Sequence, residues 1–255
     1  MPSTYSHYYF GCLVHEHLPK EKKDLVIKYR LFYDAGQNGP DLLLYHSALK
    51  PSVISQQNHD IHRMAGADFF HMIKSNSGLS SQHLVYIYGY ICHFVLDAYL
   101  HPYVEQYKDN HQISHMLIER EFERLLLEKN ELSPFKYNLT THIRLNSKLY
   151  EVMSCFVNNA SAKDMKNTLC RMKKMYLLTK ASNGFKRKLI YLWMDCHHKS
   201  YLKDFVFTKT ADSRCDVSNE YLEKRLHDAV AIAVNCIEEF DNNHLIHPIW
   251  KEIFG

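Results

Sequence analysis

A chain of 255 residues with 46% apolar content is long enough to bury one large core, so a single domain over residues 1–255 is the expectation. A formal charge of only +3 speaks against an obligate nucleic-acid binder, which would need a stronger basic excess. Seven cysteines, odd in number and free of any Cys-x2-Cys pair, exclude a disulfide framework and read as reduced thiols of a cytoplasmic protein. No signal-peptide pattern opens the chain and no run of about 18 apolar residues occurs, so no transmembrane segment is expected.

Only 8 Gly and 7 Pro punctuate the sequence, and the stretches between them carry 3.6-residue rather than alternating spacing, which predicts an all-α fold, a multi-helix bundle. Ser3 or Thr4 can cap a first helix running to His17, stopped by Leu18 and Pro19; a charged second helix is expected from Lys20 to Tyr33. Gly36 to Asp41 then breaks the chain. Pro40 presets φ for a helix start, and a carboxylate at Asp41 suits the exposed N–H groups there. One amphipathic helix is predicted from Gln56 to Lys74, a long one from Gln82 to about Glu105, and another from His111 to Asn130, followed by a loop at Ser133 and Pro134. Further helices are drawn near 140–158, 161–181, 185–200 and 218–242. Lys163 to Lys203 holds eleven Lys or Arg, with Phe185, Tyr191 and Trp193 among them. The expectation there is a solvated helix face with an aromatic core side; contact with an anionic phosphate surface is the second reading.

Chemistry concentrates in the first half, where twelve of the eighteen histidines lie at or before His115. His93, Asp97 and His101 recur at i, i+4 and i+8, so all three side chains share one helix face. His-x3-Asp-x3-His arises by chance roughly 0.07 times in a chain of this composition, which makes it a signal to argue from. His115 and Glu119 repeat the spacing on the next helix. Neutral imidazole and carboxylate are the zinc ligands of hydrolytic sites, and burying either unpaired is unfavourable. The competing reading is a polar seam between helices. His111, four residues before His115, is expected to orient a ligand; His142 and the remaining histidines are expected to be surface or satisfied core residues.

Four stretches in order, SHYYFG at Ser6–Gly11, GPDLLLY at Gly39–Tyr45, HFVLDAYLHP at His93–Pro102 and His115-x3-Glu119, resemble the zinc-dependent phospholipase C family. That family is similar in fold and zinc cluster to the zinc-dependent single-strand nucleases. The likeness covers roughly residues 1–130, with a fainter echo at Ser218–Phe240. It implies two to three zinc ions. Asp41, His93 and Asp97 with an upstream histidine would hold the first, and His101, His115 and Glu119 the second. His7, a bridging Asp97 and the amine and carbonyl of Pro2, the expected mature N-terminus, would hold the third. His46, His59 and His62 compete for the upstream place, with His62 favoured because it precedes the aromatic run GADFFHMI. The gap from Asp97 to His101 is shorter than in the secreted lipases. Asp41 is the general base that the family nominates.

These residues imply a zinc-dependent phosphodiester hydrolase in which a metal-activated water attacks phosphorus, with a phospholipid as the expected substrate and peripheral membrane contact as a corollary. A single-strand nuclease or nucleotidase on the same scaffold, and a metal-binding helical protein without turnover, are the alternatives. The 18 tyrosines could line an acyl groove or stack bases equally well.

Overall fold

The computed structural model describes residues 4–47, 51–75, 78–181 and 183–255, and every regular element in them is helical. The α-helices run in chain order as α1 (Thr4–His17), α2 (Lys20–Lys28), α3 (Arg30–Gly36), α4 (Val53–His62), α5 (Gly66–Lys74), α6 (Ser81–His111), α7 (His115–Lys129), α8 (Ser147–Ser154), α9 (Ala162–Thr179), α10 (Gly184–Cys196) and α11 (Asp216–Asp241). A 3-10 turn at Gly39–His46 links α3 to α4, and others occupy Ser200–Phe205, Ser213–Cys215 and Pro248–Lys251.

The bundle is built around α6. Its 31 residues are apolar or aromatic nearly all round from Val85 to Leu100, the pattern of a helix enclosed by others. α1, α3, α7 and α11 pack against it. The crossing with α3 is close because two glycines meet there: a Cβ on Gly89 would come within 2.2 Å of the Tyr33 carbonyl oxygen, and one on Gly36 within 2.1 Å of that of Tyr86. One contiguous buried core extends from Tyr5 to Phe254, and a small satellite of Ala181, Met194 and Val206 lies under α10.

Helix boundaries depart from expectation where tertiary contacts intervene. The stretch Lys20 to Tyr33 divides at Tyr29 into α2 and α3. Gln56 to Lys74 divides as well, because Ala65 takes an extended conformation and pairs with Ile253, while the Gly66 amide donates to the Glu252 carbonyl at 2.9 Å. α6 continues past Glu105, through Pro102, to His111 and ends at Gln112 with φ +52°. α7 then starts at His115, not His111, since the Ser114 hydroxyl caps it by accepting from the Leu117 amide at 3.1 Å. The helix expected near 140–158 contracts to α8, whose start is set by the Asn146 side chain accepting from Lys148. The aromatic side of α10 faces outward: Phe185 and Trp193 are 73% and 53% exposed, so the expected aromatic core side is wrong for these two residues.

All seven cysteines are free thiols. No helix among the described residues is long and apolar enough to cross a membrane.

The C-terminal segment seals the core with aromatic rings. Trp250 stacks on Phe94 at 5.5 Å and 10°, and Phe254 lies 4.7 Å from the same ring. Phe94 is fully buried, so Phe94→Ala is expected to destabilise the fold by about 3–5 kcal/mol, measured by urea unfolding. A loss below about 1 kcal/mol would show that the C-terminal segment closes over a core that does not need it.

Candidate metal centre

α6 presents His93, Asp97 and His101 on one face at one-turn intervals, and four neighbouring elements bring partners to that face. α1 supplies His7, whose Nε2 lies 3.2 Å from Asp97 Oδ1 and whose ring stacks on that of His93 at 4.3 Å. The 3-10 turn supplies Asp41, and α4 supplies His62, with Nε2 3.3 Å from Asp41 Oδ1. α7 supplies His115 and Glu119, with His115 Nε2 and His101 Nε2 at 2.9 and 3.4 Å from Glu119 Oε1. Asp97 is the hub. Its Oδ2 lies 3.1 Å from His93 Nε2, and its Oδ1 lies 3.5 Å from His101 Nε2.

Three groups therefore form in which each residue offers a donor atom within 4.8 Å of the others: Asp41, His62 and His93; His7, His93 and Asp97; and His101, His115 and Glu119. His93 belongs to two of them, and Asp97 reaches across to His101 in the third. The structure brings together eight of the nine expected ligand residues, and the ninth, Pro2, lies outside the described residues. Among the competing histidines, His62 faces Asp41. His59 is exposed, and His46 turns to Ser52 Oγ at 2.8 Å. The short gap from Asp97 to His101 leaves His101 on the ligand face, midway between Asp97 and Glu119.

The orientation of the rings suits a metal. His93 Nδ1 donates to the Gln37 carbonyl at 3.2 Å and His62 Nδ1 to the Asn58 carbonyl at 2.7 Å, which ties Nδ1 to the backbone and turns Nε2 toward the site. His115 Nδ1 is likewise engaged, by Glu105 Oε1 at 2.5 Å. The Nε2 atoms of His62, His93, His101 and His115, with Asp97 Oδ2 and Glu119 Oε2, are buried without a hydrogen bond although they approach one another. Donors about 2.1 Å from a shared zinc at tetrahedral angles stand about 3.4 Å apart, close to the spacings seen. The residues present therefore fit a divalent metal with nitrogen and oxygen ligands.

Electrostatics agree. Burial would raise the Asp97 carboxyl, but the imidazoles of His101, His93 and His7 hold it well below the usual range. Glu119 is held down in the same way by His115 and His101 against the same opposing burial. Asp41 stays ionised: burial opposes this, yet facing groups that include His62 and His93 bring it to about 2. A carboxylate held so low is a good ligand and a weak proton acceptor, which bears on the base role assigned to it by resemblance.

Some of the site escaped the sequence reading. His111 does not support His115; it ends α6, stacks on Tyr107 at 3.8 Å and turns Nδ1 to the Tyr107 carbonyl. Glu105 holds His115 instead. It continues the series His93, Asp97, His101 by one more four-residue step, so the signal was present. Asn58 stands four residues before His62 and donates to Asp41 Oδ1 at 3.3 Å as well. Gln37 carries no such mark, because its carbonyl reaches His93 only through the α3–α6 crossing. Glu123, one turn beyond Glu119, is buried, pushed up to about 8 by burial, and accepts from the Tyr5 amide at 2.6 Å, tying the start of α1 to α7. Gly39 sits against the His93 ring with φ +48°; a Cβ there would meet His93 Cδ2 at 2.2 Å.

His142 departs from expectation. It is neither exposed nor satisfied: it is buried, stacks on Tyr8 at 4.2 Å, and neither ring nitrogen has a protein partner among the described residues.

Comparison of the chain with protein-family models, with curated proteins and with solved structures finds no match in any of the three.

Two predictions follow from this geometry. Glu105→Gln is expected to weaken zinc binding about 10–100-fold at the group containing His115, measured by competition with a chromogenic chelator, with unchanged far-UV circular dichroism. His111→Ala should leave that affinity where it is; the reverse ranking would return the supporting role to His111. The second prediction concerns acid. Burial, with Lys173 and Arg30 nearby, lowers His142 from 6.5 to about 3, so its contribution to stability is full above pH 6.5 and is lost as pH falls toward 3. Between pH 7 and pH 5 the wild type should lose about 2 kcal/mol more than His142→Phe, which keeps a ring on Tyr8 but does not titrate. Parallel pH profiles in urea unfolding would show that His142 is not neutral in the fold.

Proposed function

We propose that this chain is a zinc-dependent phosphodiester hydrolase of phospholipase C type, an enzyme whose substrate is a phospholipid. The observation that carries the proposal is the continuity of the three ligand groups, the first two joined by His93 and the third reached by the buried carboxylate of Asp97, with the Nε2 atoms of four histidines turned inward toward carboxylate oxygens. A structural zinc site is closed by four ligands of its own and has no need of a neighbour. Adjoining groups that share ligands are what hydrolysis of a phosphate diester requires, where two positive centres act on one phosphorus. The order of motifs in the sequence, which resembles the phospholipase C family, gives the reading its substrate class.

His62, His93 and Asp41 would hold one ion; His101, His115 and Glu119 a second; His7 and Asp97, with Pro2 as the remaining ligand implied by resemblance, a third. When bound, zinc would supply polarisation of a phosphoryl oxygen and acidification of water. The protein's own part is to hold these side chains ionised or correctly protonated before any substrate arrives. Gln37, Asn58 and Glu105 fix the rings, and Asp97 keeps its negative charge between three imidazoles. Beside Glu119 a cavity of about 20 Å³, bordered by Met116, Glu123, Leu139, Tyr176 and Phe205, has room for a single water. A phosphate group has to reach the site by displacement of these side chains or from another side.

Elemental analysis of metal-replete protein should find two to three zinc per chain, and chelators should abolish hydrolysis. Asp97→Asn keeps the shape of the side chain and removes its charge; it is expected to lose at least one zinc and to fall to near-background rates. The assay sets phosphatidylcholine beside single-stranded DNA and a chromogenic phosphodiester. Turnover of DNA alone would move the site to the single-strand nucleases. Less than one zinc per chain, or wild-type rates in Asp97→Asn, would overturn the proposal and leave a helical protein without turnover.

A further inference from the structure

α10 turns its apolar side away from the fold. Phe185, Leu189, Leu192 and Trp193, at i, i+4, i+7 and i+8, fall within about 100° of arc and are 51–73% exposed. Met194 is the only buried residue of this helix, resting in the small satellite cluster with Ala181 and Val206. The end of α9 adds Leu177 and Leu178, which are exposed as well, and Lys186 Nζ ties the two helices by donating to the Leu177 carbonyl at 3.2 Å. Basic side chains frame the stripe: helical spacing sets Lys186 on one border and Lys188 on the other, and Lys180, Arg187 and Lys199 lie close in sequence. The one acid of α10, Asp195, is already engaged by Lys203 and by Ser200, both at 2.5 Å.

We propose that this face is an interfacial membrane-binding surface whose occupant is the headgroup and upper acyl region of a bilayer carrying anionic phospholipid. A helix with Trp, Phe and Leu on one side and lysines on the borders lies in the plane of such an interface, rings and leucines inward and ammonium groups at the phosphates. Charge complementarity selects the lipid. The core of a protein interface is poor in lysine, and a single strand of nucleic acid binds ladders of aromatic rings, whereas this face is predominantly leucine. The surface also connects to the metal centre. The turn Ser200–Phe205 that follows α10 packs on α7, where Ser114 Oγ donates to Asp204 at 2.6 Å, and Phe205 borders the cavity beside Glu119. The inference concerns binding alone and stands apart from the hydrolytic reading.

The chain reports on this itself, because it has two tryptophans and Trp250 is buried at 1% exposure. Full-length wild-type protein is titrated with vesicles of phosphatidylcholine and with vesicles containing phosphatidylserine. Expected are sedimentation with the anionic vesicles, a blue shift of fluorescence that Trp193→Phe removes, and weakening by salt. Lys186→Gln with Lys188→Gln should reduce partition roughly thirtyfold, and Leu189→Ser with Leu192→Ser at least about tenfold. Lys188, Leu189, Leu192 and Trp193 are exposed and Lys186 is half-buried at the rim, outside the main core, so circular dichroism and zinc content should be unaltered. Rates on a soluble short-chain phosphodiester test the hydrolytic reading separately, and these variants should match the wild type. Equal partition to both kinds of vesicle, none to either, or undiminished binding by the leucine variant would overturn the proposal. So would self-association, or oligonucleotide binding, that the leucine variant abolishes while vesicles are ignored.

Discussion

Asp97 has 3% of its surface exposed and still carries a charge, and the arrangement of the molecule depends on what makes that tolerable. An isolated carboxylate at such depth would take up a proton before it would stay ionised. Imidazoles from α1 and from both neighbouring turns of α6 stand within 3.5 Å, and each is itself oriented by a partner or a packed ring. The polar interior is therefore self-supporting only as a set: removing any one ring leaves the hub less compensated and its neighbours less aligned. A divalent ion completes this logic, since it is the charge toward which the inward Nε2 atoms and the unbonded carboxylate oxygens are turned.

α6 acts as the rail on which this is mounted. Its first three turns are enclosed by aromatic and branched side chains, and the turns from His93 to His101 carry the ligands, so the rigidity of the core passes directly to the site. Supporting contacts come from the backbone carbonyls of Gln37 and Asn58, which cannot drift independently of the segments that carry them, and from the Glu105 carboxylate of α6, which reaches across to His115 at the start of α7. The C-terminal segment contributes in the same way: Phe254 packs on Phe94 and borders His62, and a Cβ on Gly255 would collide with His101 Nδ1 at 1.7 Å.

Much of this was legible in the sequence because it is local. An i, i+4 series places side chains on one face whatever the rest of the chain does, so the ligand face of α6 and the His115–Glu119 pair could be read directly, and Glu105 lay on the same series. What resisted reading was non-local. The break before α5 exists because a segment almost two hundred residues later pairs with Ala65. Resemblance favours His62 over His59, but the geometry that decides between them, the place to which the 3-10 turn delivers Asp41, is not local. Trp193 and Phe185 show the limit of periodicity most clearly: spacing reveals that a helix has an apolar side and is silent on whether the protein or its surroundings cover it. His142 makes a similar point, since a lone histidine in sequence carries no sign that a tyrosine will stack on it in the interior.

The mounting of His93, Asp97, His101 and Glu105 on consecutive turns of one helix has a consequence for how the chain can change in length. Adding a residue anywhere between His93 and Glu105 would swing everything beyond it by about 100° and lift it by 1.5 Å, sending part of the ligand row into the core and part toward solvent. An addition of four would restore the direction but displace the row by roughly 6 Å, past the reach of α1 and α7. The connections at Asn130–Asn146 and at the end of α9 answer to no such register. Length variation compatible with this site is thus confined to the connections, and the helix that carries the chemistry has a fixed count.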